Sequence, residues 1–296
     1  MEIFLGLSTI TSAEDVTILK SADIHAYSEA ITAFKSALPS SLHITREYDL
    51  QRDMAKGRTL ARRIRASNAK VVLAVGLKAA LAAKLEILDI PVIFCLVFDP
   101  DKYRLPTANM VGLSLDVPFR QHLQPLHALA PNVSRLGVLF DPHKTNEMHS
   151  QLLRDAKAFG IKIVSEEVHQ EQDVPSALNA LRGRIEALWL LPDSTVLTEN
   201  TLDFLMSTSL ESNIPVVGFS AALVRSGATV GAYFRYTDIG KQAAQLTQHL
   251  VKQTSSSLLG TMITPERTHQ SLNLKSARYL SFSLTPDVLR QFDEQF

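Results

Sequence analysis

Cysteine is almost absent from this 296-residue chain; Cys95 is the only one. No disulfide can form within the chain, and no multi-cysteine metal site. Cys95 sits among Phe94, Leu96 and Val97, where it reads as a small buried hydrophobe. Net charge is absent too, because 30 Lys and Arg balance 30 Asp and Glu. That argues against a nucleic-acid binder that works by neutralising phosphates. Arg58, Arg62, Arg63 and Arg65 do cluster, but Arg58, Arg62 and Arg65 share one helical face and read as a solvated surface. No apolar run reaches the ~18 residues of a membrane-spanning helix.

Catalytic signatures are missing as well. The chain holds no G-x-G-x-x-G, no G-x-x-x-x-G-K-[ST], no G-x-S-x-G and no H-E-x-x-H. Its nine histidines are scattered: His122 and His127 lie five apart, His143 and His149 six apart, and neither pair shares a helical face. No metal and no cofactor are expected, and the balance moves from enzyme toward binder. The opening stretch MEIFLGLSTITSA ends in Thr11-Ser12-Ala13, like the last part of a secretory signal, but lacks the basic start of one. Residues 1–13 read either as a first strand or loose tail, or as a truncated signal segment.

What is present is organised around Val71–Pro100. Two β-branched apolar runs, Val71–Val75 and Val92–Phe98, read as strands buried on both faces of a parallel sheet. The Ala/Leu/Lys-rich Leu77–Leu88 between them is long enough for about three helical turns. Before this unit the pattern gives a strand at Asp15–Lys20, a helix at His25–Leu38, a strand at Leu42–Tyr48 and a basic helix at Asp53–Ala66; Asn109–Leu115 adds a strand after it. The alternation then restarts. Helices are expected at Phe119–Ala130, Met148–Phe159, Pro175–Arg182, Thr201–Ser212 and, briefly, Leu223–Ser226. Strands are expected at Arg135–Phe140, Ile161–Val168, Ala187–Leu191, Asn213–Phe219 and Thr229–Phe234. The tail reads as a helix at Asp238–Gln253, a loop at Thr254–Ser257, a short strand at Ser271–Lys275 and a helix at Asp287–Phe296. Two similar halves of doubly wound α/β type, each a parallel-sheet lobe, are the economical reading.

In such sheets ligands bind at the carboxyl edge. The polar residues expected there are Ser21 and Asp23, Gly76 with Lys78, Asp99, Asp141, Asp193 with Ser194 and Thr195, and Tyr233 with Asp238. Each alone also suits a turn or helix cap. Taken together, a helix start after Gly76 offers the N–H groups of Leu77, Lys78 and Ala79 to a carboxylate, and nearby acids suit an ammonium. A zwitterion such as an amino acid satisfies both. Tyr27, Tyr103, Phe219 and Tyr233 serve either to stack on an aromatic ligand or to pack the core and rim.

The order of motifs resembles the ABC-transporter substrate-binding family that includes bacterial aromatic-amino-acid-binding lipoproteins. The landmarks are Leu19–Tyr27, Val75-Gly76 with Ala79-Ala80, Ile90–Phe94 with Asp99-Pro100, Asn109–Gly112, Ala130-Pro131-Asn132, Arg135–Phe140, Gly160-Ile161, Asp193, Ile214-Pro215-Val216, Gly227-Ala228, Asp238-Ile239-Gly240 and Asn273. They run through roughly residues 15 to 290. The resemblance implies the type I periplasmic-binding-protein fold, with two lobes joined by three crossovers and closing on a small ligand by hinge motion. Its lobes would be 14–117 plus about 238–275, and 118–237 plus about 276–296. Its ligand residues carry over to Ser21, Ala22 and Asp23, to Gly76, Leu77, Lys78 and Ala79, to Asp99, and to Asp193; Ser194, Phe219 and Tyr233 join them as candidates. Leu77 stands where the family has a hydroxyl residue, and Lys78 where proline is common. The resemblance further implies a monomer in the periplasm or another extracytoplasmic space, with an ABC permease and ATPase as partners. Two other readings stay open: a ligand-sensing regulatory protein of the same fold, and a two-lobed enzyme such as a sugar-nucleotide transferase or epimerase using Asp99 and Asp193 as an acid/base pair.

Overall fold

A computed structural model describes residues 14–252 and 256–296. The stretch 1–13, with its tail-or-signal alternatives, lies outside them. The chain divides into two compact units: the part through Asp116 with Arg235–Arg267, and Val117–Phe234 with Thr268–Phe296. It therefore passes from one unit to the other three times.

The first unit opens with β1 (Glu14–Lys20), α1 (His25–Ala37), β2 (Leu42–Asp49), α2 (Met54–Arg65), β3 (Val71–Val75), α3 (Leu77–Glu86), β4 (Val92–Cys95) and β5 (Met110–Leu113). The second follows with α4 (Phe119–Leu129), β6 (Arg135–Phe140), α5 (Asn146–Ala158), β7 (Lys162–Glu167), α6 (Val174–Leu181), β8 (Ala187–Trp189), α7 (Glu199–Glu211), β9 (Val216–Gly218), α8 (Ala221–Arg225) and β10 (Val230–Tyr233). α9 (Tyr236–Val251) and β11 (Met262–Ile263) return to the first unit. β12 (His269–Leu272), α10 (Leu274–Tyr279), α11 (Pro286–Leu289) and β13 (Glu294–Gln295) complete the second.

The first sheet is parallel throughout, in the order β11-β5-β4-β3-β1-β2. β3, β4 and β5 are buried at every position. That is why their sequences read as unbroken apolar runs rather than alternations. Leu19, Val72, Phe94 and Met110 join Ala79, Ala80, Ala82 and Ala83 of α3 in one core. On the other face α9 lies so close to α1 that a Cβ at Gly240 would collide with the Ala30 carbonyl.

The second sheet runs β13-β12-β10-β9-β8-β6-β7. All its pairings are parallel except β10 with β12. Two cores flank it, one around Leu178, Leu188 and Leu205, the other around Leu126, Val138 and Leu272. In each sheet the strand order reverses direction once, between β1 and β3 in the first and between β6 and β8 in the second.

Several elements differ from the sequence expectation. The strand expected through Phe98 stops at Cys95, because Leu96 turns to φ 56° and Asp99 to φ 49°. The tail differs most. Its strand is His269–Leu272, and Asn273 caps α10 by accepting from the Ser276 N–H. The expected helix over Asp287–Phe296 is one turn, α11, after which β13 pairs with β12. Residues 268–275, expected with the first lobe, thus belong to the second, because β12 pairs along the whole of β10.

Candidate functional site

In the first unit the strand reversal brings the ends of β1 and β3 together, and Ser21 ties them. Its N–H and its hydroxyl both donate to the Val75 carbonyl, at 2.9 and 3.0 Å. The same hydroxyl accepts from the Ala79 N–H at 2.9 Å, so it caps α3 from across the sheet. Gly76, at φ 84°, makes the turn from β3 into α3 and donates to the Cys95 carbonyl at 2.9 Å. A side chain there is barred twice. The left-handed φ strains any residue with a Cβ, and that Cβ would collide with the Tyr27 hydroxyl and lie 2.8 Å from Ser21 Oγ. Ser21, Ala22, Gly76, Leu77, Lys78 and Ala79 thus occupy one edge, with the N–H groups of Leu77 and Lys78 ahead of the capped Ala79.

Burial sorts these residues. Ser21, Ala22, Gly76 and Ala79 are buried, and Leu77 is partly packed into the core. Lys78 turns away from the helix start and donates to the Arg52 carbonyl at 2.5 Å. Arg52 and its neighbour Gln51 both have positive φ, and the Arg52 N–H donates to the Ser21 carbonyl at 2.8 Å. The β2–α2 loop is thereby pinned to the β1–α1 loop. Asp23 is exposed and held locally: it accepts from the Ser28 hydroxyl at 3.0 Å and from Lys20 Nζ at 3.2 Å, and these contacts lower its pKa in that order. Burial raises the Tyr27 phenol above its ordinary value; neighbouring Cys95 adds to the rise and Arg52 opposes it. Burial alone pushes the Cys95 thiol up to about 12. Asp99 is exposed beyond β4.

In the second unit the reversal brings together the ends of β6 and β8, and here two carboxylates make the tie. Asp193 is 1% exposed. Its Oδ2 accepts from the Asp141 N–H at 2.7 Å and the Thr145 hydroxyl at 2.5 Å; its Oδ1 accepts from the N–H groups of Thr195 at 2.8 Å and Val196 at 3.3 Å. A carboxylate has about four acceptor positions, and all are occupied by the protein's own donors. Asp141 accepts from the Thr195 hydroxyl at 2.6 Å and from the His143 N–H at 2.9 Å, and these bonds hold its carboxyl below the usual range. Asp193 is thus a loop-fixing group.

Of the remaining candidates, Ser194 joins this loop tie, and Phe219 and Tyr233 pack elsewhere. Ser194 is exposed and accepts from Lys144 Nζ at 2.9 Å. Phe219 packs partly against the core. The Tyr233 hydroxyl donates to Glu294, and its ring stacks with His269 at 6.1 Å. Sequence reasoning missed the roles of Tyr27 and Thr145, whose contacts come from loops distant in the chain. It also ran Phe98 into a strand. The signal available was an aromatic placed immediately before the turn-favouring pair Asp99-Pro100.

Two doubly wound units, each with a loop tie at its strand reversal, define the type I periplasmic-binding-protein class of fold. The chain belongs to the ABC transporter substrate-binding protein family, whose sequence model matches residues 44–295. A tyrosine-binding protein of Clostridioides difficile (strain R20291) is 24% identical over 216 residues, 69% of this chain but only 61% of the relative's own length. Two solved structures share the fold. One is a ligand-free, open substrate-binding protein with adhesive properties from Clostridium difficile, 20% identical, with a TM-score of 0.77 over 96% of this chain and 99% of that one. The other is an ABC domain in complex with L-Trp from Streptococcus pneumonia, 18% identical, with a TM-score of 0.60 over 96% and 100%. No helix among the described residues is long and apolar enough to cross a membrane.

Proposed function

We propose that the protein is the solute-binding component of an ABC importer. It works outside the cytoplasm, captures an amino-acid-like molecule by hinge closure of its two lobes and delivers it to a permease driven by an ATPase. The family match across residues 44–295 carries this reading. The first unit supports the ligand class: Gly76 makes the turn into α3 against the Tyr27 hydroxyl, Ser21 fixes the start of that helix, and the Leu77 and Lys78 amides suit a ligand carboxylate. Ser21, Ala22, Gly76, Leu77, Lys78 and Ala79 form the carboxylate-binding edge in this proposal. Asp23 and Asp99 remain as exposed acids for the ammonium. Asp193 sets the second unit's loops and does not itself meet the ligand.

A thermal-shift screen of the purified chain against the twenty amino acids tests this. A ligand at about a hundred times its dissociation constant adds roughly 2.7 kcal/mol and raises the melting temperature by a few degrees. One clear shift is expected. A flat screen after unfolding and refolding, which strips any co-purified solute, would overturn the amino-acid reading.

A further inference from the structure

β7 ends its sheet. One side of the strand pairs with β6, and the other pairs with nothing among the described residues. The ladder settles which residues face outward. The Lys162 N–H donates to the Ser134 carbonyl and the Val168 N–H to the Phe140 carbonyl, so the even-numbered residues of β7 bond to β6. Ile163, Ser165 and Glu167 therefore turn their N–H and C=O groups to the open side. A cleft of about 470 Å³ lies along this strand, lined by Lys162, Ile163, Val164 and Ser165 with Gly183 and Arg184. α5 adds an apolar neighbour. His149 Nε2 lies 2.6 Å from Ser165 Oγ, so that side of α5 stands over β7. Leu153 follows one turn later on the same side and is 43% exposed.

Open edges are usually guarded against pairing. The other long edge, β2, shifts register against β1 between Val16 and Thr17, and such an irregularity discourages a further strand. β7 keeps one register against β6 along its whole length. Its charges are sorted by sign, with Lys162 at the start and Glu166 and Glu167 at the end. A parallel strand of the same sequence, in register, would set like charges side by side. An antiparallel one sets opposite charges together.

We propose that β7 is a self-association edge, where a second copy of this chain adds its own β7 antiparallel across a two-fold axis. This departs from the monomer that the family resemblance implies. Outward residues must face outward residues. Ile163 therefore pairs with Ser165 of the second copy, and Ser165 with its Ile163, each pair exchanging both its backbone hydrogen bonds. In that register Lys162 stands directly opposite Glu166 of the second copy, and the symmetry repeats the contact. Glu166 already accepts from Arg184 at 2.6 Å, so it then has a cation on either side. Sliding the copies by two residues in either direction gives up both ion pairs. The Leu153 side chains flank the joined strands and lose exposed area.

Sedimentation of the purified chain over roughly 5 to 500 µM tests this, because so short an edge belongs at the weak end of specific interfaces. The mass should climb from 32.7 kDa toward twice that value. Hydrogen exchange should show the Ile163 and Ser165 amides gaining protection in step. Lys162→Glu changes an exposed side chain, so the dilute variant should melt with the wild type. It sets carboxylate against carboxylate and should weaken the dimer by roughly tenfold. Adding Glu166→Lys reverses both charges and should restore most of that loss. A mass of one chain at every concentration would overturn the proposal. So would a dimer that leaves these amides unprotected, or a double variant no tighter than Lys162→Glu alone.

Discussion

At the scale of single residues, the two strand reversals use different chemistry for one task. Ser21 joins β1 to β3 with a hydroxyl that donates once and accepts once. Asp193 joins β6 to β8 with a carboxylate that accepts four times. Sequence position alone makes both look like ligand groups, since both follow strands at the edge where ligands bind. Whether a polar atom faces outward or is enclosed depends on partners such as Thr145 and Val196, and no local pattern names these. Asp193→Ala should destabilise the second unit by about 3 kcal/mol, because it leaves buried donors without acceptors. Asp193→Asn keeps the shape but replaces one acceptor oxygen with a donor nitrogen, and should lie between alanine and wild type. Chemical denaturation of the three proteins checks this; an alanine variant as stable as the wild type would return Asp193 to the list of ligand residues.

At the scale of elements, α2 and α3 show how a surface reading is refined by a neighbour. The basic face of α2 is solvated, as its spacing implies, but it is also paired across to α3. Glu86 accepts from Arg58 at 2.6 Å and Arg62 at 2.8 Å, while Arg65 meets Asp89 at 3.1 Å. The Arg62 and Arg58 hydrogen bonds hold the Glu86 carboxyl down, from 4.5 to about 2. Its folded pKa lies below the unfolded one, so its contribution is full above pH 4.5 and is lost as pH falls toward about 2. Glu86→Gln should therefore differ from the wild type in melting temperature at pH 6, and the difference should close on acidification through that window. A gap that persists at pH 2 would mean that the pair acts by packing rather than charge. The central strands and most helices were legible because burial on both faces and 3.6-residue periodicity leave their marks in one segment of chain. β11 and β13 were not, and β12 was expected two to three residues late, at Ser271–Lys275. At two to four residues each, they exist because β5, β10 and β12 offer edges to pair with.

At the scale of the whole molecule, neither unit is one stretch of chain. The first is completed by α9 and β11, and the second by everything after Arg267. The reading of two doubly wound halves followed from the repeated strand–helix alternation, but the owner of the tail depends on pairing between β10 and residues some forty positions later. This makes a sharp test of where each unit's stability resides. Ending the chain after Arg267 would leave every strand of the first sheet in place. It would strip β12 and β13 from the second, together with Leu272, Ala277 and Phe292 of its core. Leu272 and Phe292 are each worth roughly 2 kcal/mol of burial, and with the smaller Ala277 their loss approaches a marginal domain's net stability. Hydrogen exchange on the truncated chain should show β1, β3 and β4 still protected, while β6, β8 and β10 exchange freely. Protection lost in both sets together would show that the first unit cannot fold without its neighbour, so that the three crossings bind the two into one cooperative whole.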